Sequence, residues 1–463
     1  TRTRDPTAVT EAQCAGHHSC RTASLLPCFF SHHHLHTMSI PALPGHPHIA
    51  YRGADLYIED VALADLARTH GTPLYVYSQN TMLDALAAYQ RGFAGRKVQI
   101  CFAMKANSSL AILQLFARAG CGFDIVSGGE LARVLAAGGD PGKVIFSGVG
   151  KTRAEMRQAL DVGIGCFNVE SEAELEVLNE VALSMGLRAP VSIRVNPNVD
   201  PKTHPYISTG LKGNKFGVAH ERTVATYQRA ASLPGLRVVG IDCHIGSQIT
   251  EVSPYLDAVD RVLDLVQSIE AAGIPIAHLD FGGGLGITYR DEEPPAADAL
   301  WAALLAKLDA RGYGDRTIMI EPGRSLVGNA GVCLTEVLYL KPGEQKNFCI
   351  VDAAMNDLPR PAMYEAYHGI VPLHVRSEQP STCYDVVGPI CESGDWLGRE
   401  RTLAVQPGDL LAVLSTGAYC ASMASNYNTR GRAAEVLVQG AQAQLVRRRE
   451  TAADTFSHDI LPT

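Results

Sequence analysis

Apolar residues in the middle of the chain form short runs that alternate with longer segments of helical period. Eight of these runs have the length and the β-branched or aromatic content of buried strands: Val98–Lys105, Gly122–Val126, Lys143–Ser147, Gly165–Val169, Pro190–Val195, Arg237–His244, Ile276–Asp280 and Thr317–Glu321. Apolar residues recur every three or four positions in the segments between them, among them Ser127–Ala137, Thr152–Val162, Ser171–Ser184 and Tyr255–Ala272.

Eight strands that alternate with helices over roughly 230 residues predict a (β/α)8 barrel, for which that length is typical. A doubly wound sheet is the alternative, and a glycine run at Gly282–Gly286 invites that comparison. The run does not fit the dinucleotide-binding pattern GxGxxG, because Ile287 stands where the last glycine is needed. The pattern therefore favours the barrel.

The pattern changes near residue 332, where helical segments give way to short β-rich runs separated by glycine and proline. These runs are Val332–Leu340, Phe348–Val351, Val371–Val375, Tyr384–Val387, Leu410–Leu414 and Val436–Val446. They predict a second, all-β domain, so the fold class is α/β plus β. Near the amino terminus, strand-like pieces at Leu56–Ile58 and Leu74–Tyr77 flank a predicted helix at Asp60–His70. We expect this segment to join the β domain in part, through the pieces around Tyr51–Ile58.

This reading divides the chain into five parts. Residues 1–37 contain six of the sixteen histidines and three cysteines without apolar periodicity, zinc-finger spacing or a signal-peptide layout. We interpret them as a leader, disordered or non-native, outside the fold. The other parts are an amino-terminal segment at 38–77, the barrel at 78–330, the β domain at 331–446 and a polar, flexible tail at 447–463.

Composition and charge narrow the function classes. A net charge of −8 and the lack of a basic stripe argue against nucleic-acid binding. No apolar run reaches the roughly 18 residues of a membrane span. The twelve cysteines are irregularly spaced and form no CxxC pair, which indicates free thiols in a reducing compartment, the cytoplasm.

The candidate chemistry lies at the carboxyl ends of the predicted strands, where barrel enzymes carry their active sites. Charged or polar residues follow nearly every strand: Lys105, Asp124, Asn168, Arg194, Asn196, His244, Asp280, Glu321 and Arg324. Strand alternation places Lys105 on the face of Cys101 and Ala103, opposite Phe102. Taken alone, Lys105 is a side chain that reaches solvent. In a desolvated site it would instead be a nucleophile.

Two further motifs suggest which chemistry this is. The glycine run from Gly282 is either a tight turn or a cradle whose N–H groups approach a phosphate. Glu321 and Arg324 are either a structural ion pair or an acid for a pyridinium nitrogen and a cation for phosphate or carboxylate. An amine, a phosphate cradle, an acid and the His244 imidazole are together the parts of a pyridoxal 5′-phosphate site. No metal-ligand cluster is expected in the folded region.

Twelve short motifs together resemble the diaminopimelate decarboxylase family, whose members have the alanine-racemase-like fold type III. The motifs are CFAMKANS, FDIVSGGEL, FSGVGKT, FNVES, RVNPNVD, NKFG, HIGSQI, LDFGGGLGI, EPGR, RPAMYEAYH, CESGD and GAYCASMASNYN. The resemblance runs in order from about Met38 to Val446. It implies decarboxylation of meso-diaminopimelate to L-lysine and CO2, the final step of lysine biosynthesis, by a homodimer.

The resemblance also implies a role for each matching residue. Lys105 binds the cofactor covalently, Glu321 faces its ring nitrogen, His244 stacks on its ring, and Cys391 is a proton donor from the other subunit. The remaining cofactor-binding residues would be Asp124, Ser247, Gly282, Gly283, Gly284, Pro322, Gly323, Arg324 and Tyr419. Substrate contacts would come from Arg324, Arg360, Tyr364, Glu392 and Tyr419.

Two alternatives remain at this point. One is the same chemistry on another basic amino acid, such as ornithine or arginine. The pairing of Arg360 with Glu392 argues against it, because a distal zwitterion needs both a cation and an acid. The other alternative is a regulatory homologue that binds the cofactor without catalysis. It conflicts with the presence of Lys105, Glu321 and Cys391.

Overall fold

The structure, a computed structural model, describes residues 40–93, 95–200, 214–376 and 378–463. The predicted leader lies outside the described residues. The described chain begins with a three-stranded antiparallel sheet of β1 (Ile49–Arg52), β2 (Asp55–Ile58) and β3 (Val61–Ala62). Helix α1 (Leu63–His70) and strand β4 (Leu74–Ser78) follow. The predicted helix from Asp60 is thus shorter than expected, because its first residues form β3.

Eight parallel strands then close a barrel. They are β5 (Val98–Ala103), β6 (Gly122–Ile125), β7 (Val144–Phe146), β8 (Cys166–Val169), β9 (Ala189–Asn196), β11 (Leu236–Asp242), β12 (His278–Asp280) and β13 (Thr317–Ile320). The circle closes where β13 pairs with β5. A short strand of two residues, β10 (Val218–Ala219), pairs with β9 outside the circle. All eight predicted strands and the predicted barrel are confirmed.

Helices lie between the barrel strands and cover them. They are α2 (Gln79–Gly92), α3 (Leu110–Arg118), α4 (Gly128–Ala136), α5 (Arg153–Val162), α6 (Glu172–Ser184), α7 (Thr223–Ser232), α8 (Ser253–Ala271) and α9 (Ala297–Ala310). The hydroxyls of Ser127, Thr152 and Ser171 accept hydrogen bonds from the first turns of α4, α5 and α6. These caps fix where each helix leaves the carboxyl end of the preceding strand.

The first barrel strand shows how side-chain alternation builds the core. The Phe102 ring points outward and packs on Phe116 of α3 with ring centroids 4.5 Å apart. Ala103 lies on the other face, where Gly323 approaches it closely. Phe102 and Ala103 therefore lie on opposite faces of β5, as predicted. The strand ends at Ala103, however, so Lys105 stands in a following turn of 3₁₀ helix, Met104–Ala106, and not in the strand itself.

A second nine-stranded sheet follows the barrel, and β4 from the amino-terminal part of the chain joins it. Its new strands are β14 (Gly331–Lys341), β15 (Asn347–Val351), β16 (Ile370–Pro372), β17 (Thr382–Val387), β18 (Trp396–Leu403), β19 (Leu410–Val413), β20 (Ala434–Gln439) and β21 (Gln442–Arg447). Strand β4 is inserted between β14 and β20, in the order β18-β17-β15-β14-β4-β20-β21, and β19 joins β14 to β16. The predicted β-rich part is confirmed, and the amino-terminal segment joins it through β4. The pieces around Tyr51–Ile58, which the sequence predicts to join it, pair instead in the separate sheet of β1, β2 and β3, with one bridge from Asp55 to His374.

Two strand predictions in this part are wrong. The run at 436–446 is not one strand but the hairpin of β20 and β21, which turns at Gly440, a residue with φ of +57°. Strand β18 is absent from the prediction. Three short helices complete the described chain: α10 (Arg324–Val327), α11 (Arg360–Tyr364) and α12 (Ala452–Thr455). In the predicted flexible tail, Glu450 accepts hydrogen bonds from Asn426 and Arg432.

Candidate active site

Lys105 occupies the turn after β5 and forms an ion pair with Asp124 at the end of β6. Asp124 is completely buried, and its Oδ1 has no hydrogen-bond partner. Although burial acts in the opposite direction, the nearby Asp124 and Glu321 raise the pKa of the Lys105 amine. The barrel thus holds an ammonium group beside the Asp124 carboxylate.

The barrel interior contains a carboxyl group that the sequence analysis did not name, that of Asp242, beside the predicted Asp280 and Glu321. Oxygen atoms of Asp242, Asp280 and Glu321, all buried, lie within 4.8 Å of one another. Burial and the neighbouring carboxylates raise the pKa of Glu321 and of Asp242, and burial raises that of Asp280 to about 7. Carboxyl groups packed in this way retain protons at a pH at which exposed acids have lost them.

Glu321 is oriented by neighbours from two other strands. Asn168, at the end of β8, and Ser147, after β7, donate to Glu321 Oε1 at 3.3 and 3.5 Å. His244 follows β11, and its Nδ1 accepts a hydrogen bond from Gly283 N at 3.2 Å. Burial, with the charges of Arg194 and Lys105, lowers the pKa of His244. The imidazole is therefore held neutral beside the Lys105 ammonium.

The glycine run after β12 brings backbone close to the ends of β11 and β13. A Cβ on Gly283 would lie 2.2 Å from the Glu321 carbonyl oxygen, and one on Gly282 would lie 2.6 Å from the His244 ring. Gly284 has φ of +104°, which favours glycine. The Pro322 carbonyl accepts from Ala103 N at 3.0 Å and joins β13 to β5. Only glycine fits this backbone, as a phosphate cradle requires.

Two buried arginines meet on one tyrosine. Arg324, at the start of α10, donates to Ser247 Oγ at 3.0 Å and to the Tyr289 hydroxyl. Arg360, at the start of α11, donates to the same hydroxyl at 2.9 Å and to His368 Nε2 at 2.9 Å. Sequence reasoning named Arg324 and Arg360 but not the tyrosine and the histidine that hold them.

His368 is fixed in one tautomer by its two hydrogen bonds. Its Nδ1 donates to the Leu414 carbonyl at 2.8 Å, so its Nε2 is the acceptor for Arg360. Burial and the Arg360 charge lower the pKa of His368. A neutral histidine therefore orients the Arg360 guanidinium by accepting one of its hydrogen bonds.

A cavity of about 350 Å³ opens at the carboxyl ends of the barrel strands. Its walls include seven of the predicted residues: Lys105, His244, Ser247, Arg324, Arg360, Tyr364 and Tyr419. The Tyr419 ring lies 4.8 Å from the Arg324 guanidinium, and Tyr419 N donates to the Ala106 carbonyl at 2.7 Å. The β-rich part thus completes a site that begins on the barrel.

The other predicted residues do not line this cavity: Asp124, Glu321, Pro322, the glycines at 282–284 and 323, and the pair Cys391 and Glu392. Cys391 and Glu392 precede β18 and are exposed, and Glu392 accepts a hydrogen bond from the Tyr427 hydroxyl at 2.6 Å. The loop is held by Asp395, whose carboxylate accepts from Met355 N and Ile390 N at 2.7 Å each. Within one chain, these two residues are not part of the site.

Comparison with known proteins agrees with this geometry. A family model described as "Pyridoxal-dependent decarboxylase, pyridoxal binding domain" matches residues 79–328. The chain is 57% identical over 412 residues to diaminopimelate decarboxylase of Pseudomonas aeruginosa, an alignment that covers 89% of this chain and 98% of the relative. The Vibrio cholerae diaminopimelate decarboxylase is 55% identical and covers 88% and 97%. This chain belongs to the diaminopimelate decarboxylase family.

A solved structure extends the similarity to three dimensions. The diaminopimelate decarboxylase of Helicobacter pylori, complexed with L-lysine, superposes with a TM-score of 0.81 at 41% identity and covers 85% of this chain and 98% of its own. Members of this family are pyridoxal-dependent. The residues that line this cavity, together with Gly283 and Glu321 beside His244 and Lys105, suit that cofactor. The amine of Lys105, the side-chain-free cradle at Gly283 and the buried acid Glu321 are the donor set it needs.

Proposed function

We propose that this chain catalyses the pyridoxal-phosphate-dependent decarboxylation of meso-diaminopimelate to L-lysine and CO2. It is a carboxy-lyase reaction and the final step of lysine biosynthesis. One observation carries the proposal: a single cavity joins the amine of Lys105 to two buried arginines that share the Tyr289 hydroxyl. The amine serves the reacting end of an amino acid, and the second arginine is available for a carboxylate at its other end.

The residues around Lys105 would hold the cofactor. When bound, pyridoxal phosphate supplies an electron sink for the charge that CO2 leaves behind. Lys105 would attach it, with Asp124 orienting the amine, and Glu321 would keep a proton at the ring nitrogen. The glycines at 282–284 and 323, with Pro322, Ser247, Arg324 and Tyr419, would surround its phosphate, and the neutral His244 would lie against its ring.

The residues on α11 would select the substrate. Arg360 would bind the distal carboxylate, assisted by Arg324, Tyr364 and Tyr419. A guanidinium held by His368 and Tyr289 costs no further ordering when the carboxylate arrives. The distal ammonium needs an acid, and Glu392 is the predicted one.

We further propose a homodimer in which Cys391 and Glu392 complete the site of the other copy. Both are exposed and lie outside their own cavity. An exposed thiol at the tip of a loop that Asp395 holds in shape can enter a neighbour's site. There Cys391 would return a proton to the α-carbon, and Glu392 would receive the distal ammonium.

Substrate competition tests the reaction. Purified holoenzyme would be offered meso-diaminopimelate, ornithine, arginine and lysine in parallel, and CO2 release would be measured. We expect release from diaminopimelate alone. Release from ornithine or arginine would overturn the roles of Arg360 and Glu392. A protein that binds the cofactor and is silent with all four would instead be a regulatory homologue.

Absorption spectroscopy tests the cofactor attachment. Wild-type holoenzyme should absorb near the visible edge because the cofactor is bound through Lys105. Lys105→Ala should lose this band, whereas Lys143→Ala, which removes a lysine exposed on the barrel, should keep it. A band that persists in Lys105→Ala would refute the assignment.

Subunit exchange tests the shared site. Lys105→Ala and Cys391→Ala proteins are each expected to be inactive, but a mixed dimer has one site with both native residues. Random exchange of an equal mixture should restore about a quarter of wild-type activity. Mixed dimers that are present by mass spectrometry and still inactive would contradict the proposal.

We propose a cytoplasmic location on the basis of the thiols. Each cysteine that the structure describes is free, which suits a reducing compartment. Separately, none of the helices in the described ranges is long and apolar enough to cross a membrane. Cell fractionation followed by an activity assay tests the proposal, and recovery of the activity outside the cytoplasmic fraction would refute it.

A further inference from the structure

A second cavity lies beside the active-site cavity and shares a wall with it. Its volume is about 490 Å³, and Ala366 and Tyr367 line both cavities. These two residues follow α11, which carries Arg360, and precede His368. We call the second cavity the side site. Only the backbone and side chains of Ala366 and Tyr367 separate a molecule bound there from the active-site cavity.

Three arginines line the side site, and in the described part of the chain none of them forms an ion pair: Arg290, Arg399 and Arg401. Arg401 and Arg290 have their guanidinium carbons 3.9 and 5.3 Å from the centre of the Tyr367 ring. Arg401 donates to the His368 carbonyl at 3.1 Å, yet its Nε is buried without a hydrogen-bond partner. Unpaired cations and a buried free N–H group are what a carboxylate would satisfy.

The side site also contains two acidic side chains. Glu365 and Glu400 line it, and neither forms an ion pair in the part of the chain that the structure describes. A simple anion would gain from the three arginines and be repelled by these two carboxylates. A molecule with a carboxylate and an ammonium group would instead find a partner for each.

We propose that the side site binds a free amino acid, with its carboxylate on Arg401 and Arg290 and an ammonium group on Glu365 or Glu400. The assignment rests on the proposed function, since it makes the ligand the substrate or product of the neighbouring cavity. An amino acid bound at the side site would then lie next to the active-site cavity, on the other side of Tyr367. Loss of the site should then lower kcat/KM and leave kcat unchanged.

Trp396 makes binding at the side site directly visible. It lines the side site with Arg399 stacked on it at 4.1 Å, whereas the second tryptophan of the chain, Trp301, is buried on α9. Wild-type holoenzyme would be titrated with L-lysine while tryptophan fluorescence is recorded. We expect a saturable change that Trp396→Phe abolishes. Absence of a saturable change in wild type would overturn the proposal.

Variants separate the side site from the active site. Arg401→Gln and Arg290→Gln should each raise the dissociation constant seen by Trp396 about tenfold, the loss expected for a charged hydrogen bond. Arg68→Gln, an exposed arginine on α1, is the matched control and should change nothing. Arg360→Gln should alter catalysis and leave this constant within about twofold. A signal lost in Arg360→Gln but kept in Arg401→Gln would show that the fluorescence reports the active site.

Two further probes define the ligand class. Glutarate carries carboxylates without an ammonium group, and cadaverine carries the reverse. Both should bind at least about tenfold more weakly than L-lysine, because each leaves one set of charges unpaired. Glutarate that equals L-lysine would overturn the amino-acid assignment. A Trp396 signal in a protein that releases no CO2 from diaminopimelate would refute the proposed function and leave the side site standing.

Discussion

The Tyr289 hydroxyl is the residue-scale detail on which the substrate region depends. It accepts hydrogen bonds from both Arg324 and Arg360, so it keeps two guanidinium groups at a fixed separation. Its own proton is left to donate to an anion in the cavity. The Tyr289 hydroxyl therefore lies between Arg324, which we assign to the cofactor phosphate, and Arg360, which we assign to the distal carboxylate of the substrate.

Removing this oxygen should impair substrate binding more than folding. Tyr289→Phe leaves the ring in place but takes away the acceptor of two charged hydrogen bonds, each worth about 1.5–3 kcal/mol. We expect KM for diaminopimelate to rise at least about tenfold, with a smaller change in kcat. Steady-state kinetics on the holoenzyme measures both.

A matched substitution controls for the loss of a hydroxyl as such. Tyr51 donates to the Pro372 carbonyl at 2.5 Å, in the amino-terminal sheet. Tyr51→Phe should leave KM unchanged. A Tyr289→Phe enzyme with the KM of wild type would show that the two arginines hold their positions without the tyrosine.

The sequence predicted the charged groups of the site better than the residues that orient them. Lys105, Glu321 and Arg324 stand at strand ends, where the barrel pattern made them visible. Tyr289 gave no such signal, because it lies in the long connection after β12 and acquires its role only through contact with α11. Asp242 could have been found, since strand alternation puts it on the same face as His244.

At the scale of elements, the join between the barrel and the β-rich sheet depends on two glycines. A Cβ on Gly417 would lie 1.8 Å from the Val327 carbonyl oxygen, and one on Gly331 would lie 2.5 Å from Gly417 Cα. The Gly417 carbonyl accepts from Asn107 Nδ2 at 3.0 Å, two residues after Lys105. The loop after β19 thus contacts the start of β14 on one side and the lysine turn on the other, where Tyr419 N donates to the Ala106 carbonyl.

Gly417→Ala should destabilise this join. Its new methyl group would meet backbone that cannot rotate away, and overpacking of this kind costs about 1–3 kcal/mol. We expect a lower urea midpoint with an unchanged slope, together with reduced kcat/KM because the lysine turn shifts. Gly150→Ala is the control, since no atom lies within 4 Å of its Cβ position. Equal midpoints for the two variants would contradict this account.

The elements that the sequence failed to predict share a physical cause. β18 begins beside the loop at 391–395 and contains Gly398, Arg399, Glu400 and Arg401, so neither apolar alternation nor a continuous apolar run marks it. It is a strand because β17 pairs with it. The sequence predicts a single strand where the structure has the β20–β21 hairpin, because Gly440 is the sole turn signal in an otherwise strand-like run. Tertiary pairing decided both cases.

At the scale of the whole molecule, a buried histidine ties the amino-terminal segment to the β-rich sheet. His46 Nε2 lies 3.0 Å from Ser415 Oγ, after β19. Burial lowers the pKa of His46 from 6.5 to about 4. Between these pH values the unfolded chain takes up a proton that the folded chain does not, so stability from this residue falls as pH drops from 6.5.

His46→Gln should remove this dependence. The free energy of unfolding of wild type should fall relative to the variant by up to about 1.4 kcal/mol for each pH unit between 6.5 and 4. Denaturant titrations across that range measure the difference. Parallel curves for wild type and His46→Gln would refute the assignment.

The insertion of β4 between β14 and β20 has a consequence for synthesis. A ribosome delivers β4 early, but its two neighbours emerge only after the entire barrel has been made. The lysine turn is therefore built long before Arg360 and Tyr419 arrive to close the cavity over it. A chain that ends before Arg360 and Tyr419 would contain the reactive amine without the side chains that select what reaches it, so the barrel becomes selective only after the segment that follows it has been made.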